Sequence, residues 1–256
     1  MKITFLGTGT SVGIPMIGCS CETCSSTDSK DKRLRTSLHL SLQDCEIQID
    51  IGPDFRQQML NSKIPRVDLI LITHQHADHT AGLDEVRALN FLQNSSIPLF
   101  AEKNVLEDLR TRFAYIFGKN KYPGLPIISL NEIQAYEKFI FNSIEILPIR
   151  IMHGSLPILA YRIGKFAYIT DANFIEDRSI ELLQDLDVLV INALRHKTHH
   201  SHFNLDQSLE VANRIHAKKT FLTHLSHQMG LHKKVEKQIP DTVAIAYDGL
   251  EVYIDE

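Results

Sequence analysis

The sequence predicts an α/β fold, and its pattern is consistent with two β-sheets covered by helices on their outer faces. Three observations lead there. Short apolar, β-branched runs of strand length gather in two groups, one ahead of residue 102 and one from Ile144 onward. Apolar residues at helical spacing fill the stretches between them, as at Leu83, Val86 and Leu89. No long repeat, low-complexity stretch or linker interrupts the chain, so residues 1–256 read as one domain. Periodicity alone leaves other α/β arrangements open.

Taken in order, Ile3 to Leu6 predicts a strand, after which Gly7 and Gly9 allow a tight turn. That turn is either a simple reversal or one wall of a cleft. Cys19, Cys21 and Cys24 follow among small polar residues. Thiolates this close repel or oxidise when packed as ordinary core cysteines, whereas zinc takes them as a tetrahedral set with one further ligand. Cys45 stands alone and reads as a small core residue. Thr36 to Leu42 and Cys45 to Ile49 alternate apolar and polar residues, the pattern of two half-buried strands joined at Gln43-Asp44. Asp54 to Asn61 then predicts a short helix.

Val67 to Thr73 leads, as a buried strand, straight into His74, His76, Asp78 and His79. Imidazoles and carboxylates hold zinc, manganese or iron. Four such side chains on a tight turn at a strand end fan into one small volume, and a metal ion is the simplest thing that holds them together. The competing reading is a merely polar turn.

Beyond the turn, Leu83, Val86 and Leu89 predict a helix, Ile97 to Ala101 a strand, and Val105 to Phe117 one apolar face of a second helix. The segment from Gly118 to Gly124 reads as an exposed loop, its lysines and Tyr122 either solvated or within reach of a phosphate. Strands are expected at Ile144 to Ile151, Leu159 to Ile163 and Phe166 to Thr170, with a Gly164-Lys165 hairpin turn and with His153 and Asp171 on loops beyond strands. Glu176 to Asp185 predicts a helix and Val188 to Ile191 a buried strand. Asn204 to Ile215 predicts a helix opened by an Asn204/Gln207 capping box, with Leu205, Leu209 and Ala212 inward. Thr220 to Thr223 is a strand leading to His224, and Asp248-Gly249 predicts a closing hairpin between Val243–Tyr247 and Leu250–Ile254.

Bulk properties narrow the function classes. A hydrophobic content of 43%, a charged content of 23% and a net charge of -4 describe an ordinary globular protein. The absence of a basic excess argues against stable nucleic-acid binding. The apolar stretch at Met1 is too short for a signal peptide and no later run approaches a membrane span, so a cytoplasmic location is expected. Three of the four cysteines fall within six residues, which fits metal binding in a reducing compartment better than a disulfide framework.

The motif His74-x-His76-x-Asp78-His79 at a strand end resembles the hallmark of the metallo-β-lactamase superfamily of metallohydrolases. Its other ligands have candidates in the right order: His153 after the Ile144–Ile151 stretch, Asp171 ending Phe166-Ala-Tyr-Ile-Thr, and His224 ending Thr220-Phe-Leu-Thr. Gly7-Thr-Gly9, Cys19-x-Cys21-x-x-Cys24 and Thr-His224-Leu-Ser-His227 narrow the resemblance to the PhnP-like phosphodiesterases. It covers essentially the whole chain. The resemblance implies an αββα four-layer sandwich and a structural zinc held by Cys19, Cys21, Cys24 and His227. It assigns His74, His76 and His153 to one divalent ion, Asp78, His79 and His224 to another, and Asp171 to both, the ions being zinc or manganese. Asp50 resembles the family aspartate that orients a ligating imidazole. A homodimer is likewise what the resemblance implies.

Two such ions create a nucleophile from water and neutralise charge on an attacked phosphoryl group. The leaving alkoxide still needs a proton. The segment His196 to His202 holds four histidines, and by the family pattern His202, just before the Asn204 helix, matches the acid or phosphate clamp, with His199 second. His196 and His200 read as surface imidazoles, and His39, His216 and His232 as structural or solvent-facing. The expected function is therefore hydrolysis of small, cyclic or linear, phosphate diesters. The same ligand set serves tRNA 3′-processing endonucleases, glyoxalase-type thioester hydrolases and lactamases. A third class is a metal-bound scaffold without turnover. Asp171 where some lactamases place cysteine, the cysteine triad and the histidine segment favour the diesterase. No long insertion suggests an RNA-gripping arm.

Overall fold

The computed structural model describes residues 1–119 and 122–254. Among them, fourteen strands run in chain order: β1 Lys2–Gly7, β2 Ser37–Leu42, β3 Cys45–Ile49, β4 Leu69–Leu71, β5 Ile97–Ala101, β6 Ile128–Glu132 and β7 Phe139–Phe141. They continue with β8 Ile144–His153, β9 Leu156–Ile163, β10 Phe166–Ile169, β11 Val188–Asn192, β12 Lys219–Thr223, β13 Val243–Ile245 and β14 Glu251–Tyr253. One sheet has the order β14-β1-β2-β3-β4-β5-β6 and the other β13-β12-β11-β10-β9-β8-β7. Each is antiparallel in one part and parallel in the other: β3 to β6 in the first sheet and β10 to β13 in the second.

The strands stack because both sheets carry apolar residues on the faces that meet. Ile3, Phe5, Leu40 and Ile47 pack in one cluster with Leu159, Tyr161, Phe166 and Tyr168 of the opposite sheet. A second cluster joins the outer face of the β7–β13 sheet to the helix Leu205–Ile215. A third joins the outer face of the other sheet to the helices Phe55–Ser62, Val86–Gln93 and Lys103–Arg112. The result is the four-layer αββα sandwich that the resemblance implies.

The helix Leu205–Ile215 starts where expected, because Asn204 accepts the Gln207 N–H while the Gln207 side chain accepts the Asn204 N–H. The expected helix through Phe117 is two pieces, Lys103–Arg112 and Ala114–Phe117, since Phe113 leaves helical geometry at φ -110° and ψ 42°. Asp177–Glu181 is shorter than expected. Asn120 and Lys121 of the expected Gly118–Gly124 loop lie outside the described residues.

Strands β2 and β3 are buried on both faces rather than half-buried, because their polar residues satisfy one another. Gln48 Nε2 donates to Ser37 Oγ at 2.7 Å, and the fully buried His39 sits between Gln48 and Glu46. The closing hairpin is also overturned. Val243–Ile245 pairs with β12, while Glu251–Tyr253 crosses to the other sheet and pairs with β1. The Asp248 carboxylate accepts the Leu34 N–H and the Thr8 hydroxyl, and the Gly249 N–H donates to Phe5 O. These bonds turn the chain away from a hairpin. Finally, His153 is the last residue of β8, paired with Leu156, rather than beyond the strand.

Candidate metal centre

The site forms at the carboxyl ends of the parallel strands, where open α/β sheets commonly bind ligands. After β4 the chain runs through His74 and His76 into the short helix Ala77–Thr80. Asp50, just past β3, anchors this turn: it accepts the Thr73 N–H and hydroxyl, and His79 Nδ1–H donates to its Oδ2 at 2.7 Å. Thr80 Oγ1–H donates to His76 O at 2.8 Å, and Arg112 reaches from its own helix to Gln75 O at 2.8 Å. Gly52 permits this closeness, since a Cβ there would lie 2.0 Å from the Asp78 carbonyl oxygen.

His153, Asp171 and His224 come to the same place from the ends of β8, β10 and β12. The ligand atoms of His74, His76 and His153 lie within 4.8 Å of one another, as do those of Asp78, His79, Asp171 and His224. Asp171 Oδ1 is 3.3 Å from His79 Nε2 and 3.2 Å from His224 Nε2. His153 Nδ1–H faces the carbonyls of Asp171 and Ser201, each at 2.8 Å, which leaves its Nε2 free. Asp50, Asp171 and His224 all hold left-handed φ of 58°, 60° and 55°. Such strain at residues without glycine's freedom persists only where the surroundings over-determine it.

The donor set fits divalent metal. Nε2 of His74 and His79 and both ring nitrogens of His224 are buried without a hydrogen-bond partner, an arrangement that costs free energy unless something else satisfies it. Burial alone would raise the Asp171 carboxyl, but His224 and His79 overcome it and hold it well below the carboxylate range. Burial would likewise lower His79, yet Asp171, Asp78 and Asp50 raise it far above the histidine range. Three carboxylates around one imidazole make a pocket that selects positive charge. His74 is lowered by burial and by His79, so it offers a neutral ring. Ionised carboxylates and neutral imidazoles are the forms that bind metal.

Of the four histidines in the segment after Leu194, the structure brings His202 to the centre. Its ring lies 4.6 Å from that of His153 and stacks at 5.0 Å on that of His224, with Nδ1 3.9 Å from Asp171 Oδ2. Burial and the neighbouring His224 push it down to about 3, so the ring is neutral in the free protein. His199 stands one ring further out, 5.1 Å from His202, and His200 is exposed. His196 donates from Nε2 to Met229 O, His216 is exposed, and His232 is buried beside Arg33 and Asp31.

A second cluster joins Cys19, Cys21 and Cys24 to His227, with His227 Nδ1 3.4 Å from the Cys19 sulfur and 3.3 Å from the Cys21 sulfur. The Cys24 N–H and His227 pull the Cys21 thiol down to about 6. Three sulfurs and one imidazole suit a closed tetrahedral zinc. Backbone bonds Thr10 N–H to Leu225 O and Leu225 N–H to Thr8 O run the glycine-rich loop beside His224. Sequence reasoning missed Arg112, Asn173 and Asn192, whose bonds to backbone around the site leave no spacing signal.

The sequence model of the Beta-lactamase superfamily domain matches residues 46–225. The chain is 42% identical over 259 residues to an octanoyltransferase of Porphyromonas gingivalis, covering all of this chain but 52% of that protein, so it spans about half that relative's length. It is 24% identical over 294 residues to ribonuclease Z of Geobacillus kaustophilus, covering 88% of each. A solved structure described as a new diphosphatase from the PhnP family superposes with a TM-score of 0.92 at 38% identity, covering 98% of this chain and 96% of that one. With the family's domain matched across most of its length and a PhnP-family fold matched end to end, the chain belongs to the PhnP branch of the metallo-β-lactamase superfamily and is a metal-dependent hydrolase.

Proposed function

We propose that this hydrolase cleaves small phosphate diesters, the P–O–P linkage of a diphosphate among the bonds to be tested. In this reading His74, His76 and His153 would hold one divalent ion and Asp78, His79 and His224 the other, with Asp171 available to both. Zinc or manganese suits the pair, and zinc the cysteine cluster. When bound, the pair lowers the pKa of water towards neutrality and offsets phosphoryl charge. Asp50 keeps the His79 tautomer in register. His202 is the proton donor: an incoming phosphate anion counteracts the burial that keeps its ring neutral, the ring takes up a proton from solvent, and it passes that proton to the leaving oxygen.

The observation that carries this reading is the buried His202 imidazole, with Nδ1 unpartnered and directed toward Asp171. An alkoxide needs such a donor, whereas a thiolate leaves without one. A second reading, cleavage of an acyl ester or thioester, draws on the octanoyltransferase likeness. Purified protein, its metals counted by elemental analysis, would be offered a chromogenic phosphodiester, a diphosphate diester, an octanoyl thioester and a β-lactam. Turnover of a phosphorus substrate is expected, and turnover of the thioester alone would replace this reading with the second. Two bound metals with no turnover would indicate a scaffold. His202→Ala should keep its metals and lose about 10²–10⁴ in rate on an alkyl phosphodiester, whose leaving oxygen needs a proton. Sedimentation velocity tests the homodimer, and one cooperative unfolding transition the single-domain organisation.

A further inference from the structure

Three backbone segments meet around the candidate donor, and one amide side chain laces them. Asn173 Oδ1 accepts the Gly154 N–H at 2.7 Å, and its Nδ2–H donates to His200 O at 3.2 Å. Its own N–H donates to Met152 O at 2.9 Å. It is thus bonded to both neighbours of His153 and to the segment bearing His199 and His202, while standing two residues from Asp171. The segment has other anchors: the Phe203 N–H donates to Ala172 O at 2.7 Å, and Ser201 O accepts from His153 Nδ1. Ala172 is in turn held on both its N–H and C=O by the Asn192 side chain. These bonds keep the segment attached whatever stands at 173. What Asn173 adds is the position of residue 200, which lies between His199 and His202.

We propose that Asn173 is a positioning residue that sets the His202 ring against Asp171, and so decides how poor a leaving group the enzyme expels. This inference rests on the reading of His202 as proton donor. An aspartate at 173 still accepts from Gly154 but sets a carboxylate against the His200 carbonyl in place of a donor. The turn holding His153 stays, and the histidine segment shifts at residue 200 while its anchors at Ser201 and Phe203 hold. Asn173→Ser shortens the reach and is measured in parallel, so the question does not hang on one variant folding.

The test compares a p-nitrophenyl diester, whose leaving oxygen departs without a proton, with an alkyl diester that needs one. Asn173→Asp and His202→Ala should both lower alkyl-diester kcat at least about tenfold more than aryl-diester kcat, with metal content unchanged. In histidine-selective ¹⁵N spectra of the zinc-loaded Asn173→Asp protein, the His199 and His202 ring signals should shift while those of His74 and His76 stay. If His202→Ala is selective between the two esters and Asn173→Asp slows both equally or neither, the role of Asn173 is refuted and that of His202 stands. If His202→Ala slows both esters equally, both fall.

Discussion

His79 donates its Nδ1 proton to Asp50 across 2.7 Å, with both side chains wholly buried. The bond fixes the tautomer and leaves Nε2 3.4 Å from Asp78 and 3.3 Å from Asp171. Asp50→Asn keeps the shape of the side chain but weakens the acceptor. Metal affinity should fall about 10–100-fold, as for other partners that orient ligating histidines. Competition with a chromophoric chelator measures this, and parental affinity would remove the role.

Gly52 lets the Asp50–Asp54 segment touch the back of the ligand turn. In Gly52→Ala the new methyl would sit 2.0 Å from the Asp78 carbonyl oxygen, so one of the two backbones must move. Overpacking of this kind costs about 1–3 kcal/mol. Denaturant unfolding should show the loss, together with weaker metal binding, and an unchanged midpoint would mean that the turn yields freely.

The cysteine cluster shares no residue with the His/Asp clusters and joins the N-terminal loop to His227, just after His224. Cys21→Ser should lose bound zinc and lower Tm, with a smaller change in diester turnover per folded molecule. Elemental analysis beside thermal unfolding checks it. Zinc content equal to the parent's would exclude Cys21 as a ligand.

Asp248 accepts from Leu34 and Thr8, and Arg33 donates to the same Thr8 hydroxyl. Burial outweighs these contacts and pushes its carboxyl from 3.8 up to about 6. The folded chain therefore binds this proton more tightly than the unfolded chain. The resulting stability is full below pH 3.8 and is lost as pH rises through about 6. Unfolding free energy of the parent relative to Asp248→Asn should fall across that window. A flat difference would show that the carboxyl is not raised.

Much of this molecule was legible in its residues. His74, His76, Asp78 and His79 announce a centre because they share one turn, and His153, Asp171 and His224 could be placed because the family resemblance asks for further ligands at strand ends and each of them ends an apolar run. His202 is set apart from His199 only by the family pattern and its place before the Asn204 helix, and its ring stacks on that of His224 at 5.0 Å. Asn173 was illegible because its partners are backbone atoms of distant segments, and backbone carries no residue code, while Arg112 reaches Gln75 O and the Thr80 hydroxyl from another helix far along the chain.

The closing strands mark the boundary most clearly. Asp248-Gly249 determined that the chain turns, since that dipeptide supplies the needed backbone freedom locally. It did not determine which strands the turn joins. Side-chain type and spacing settle periods, caps and donor chemistry over a few residues. Pairing β13 with β12 and β14 with β1 depends on which sheet edges stand open once two seven-stranded sheets have packed. That is decided by contacts between segments as far apart as Lys2 and Tyr253, and so only by the tertiary structure.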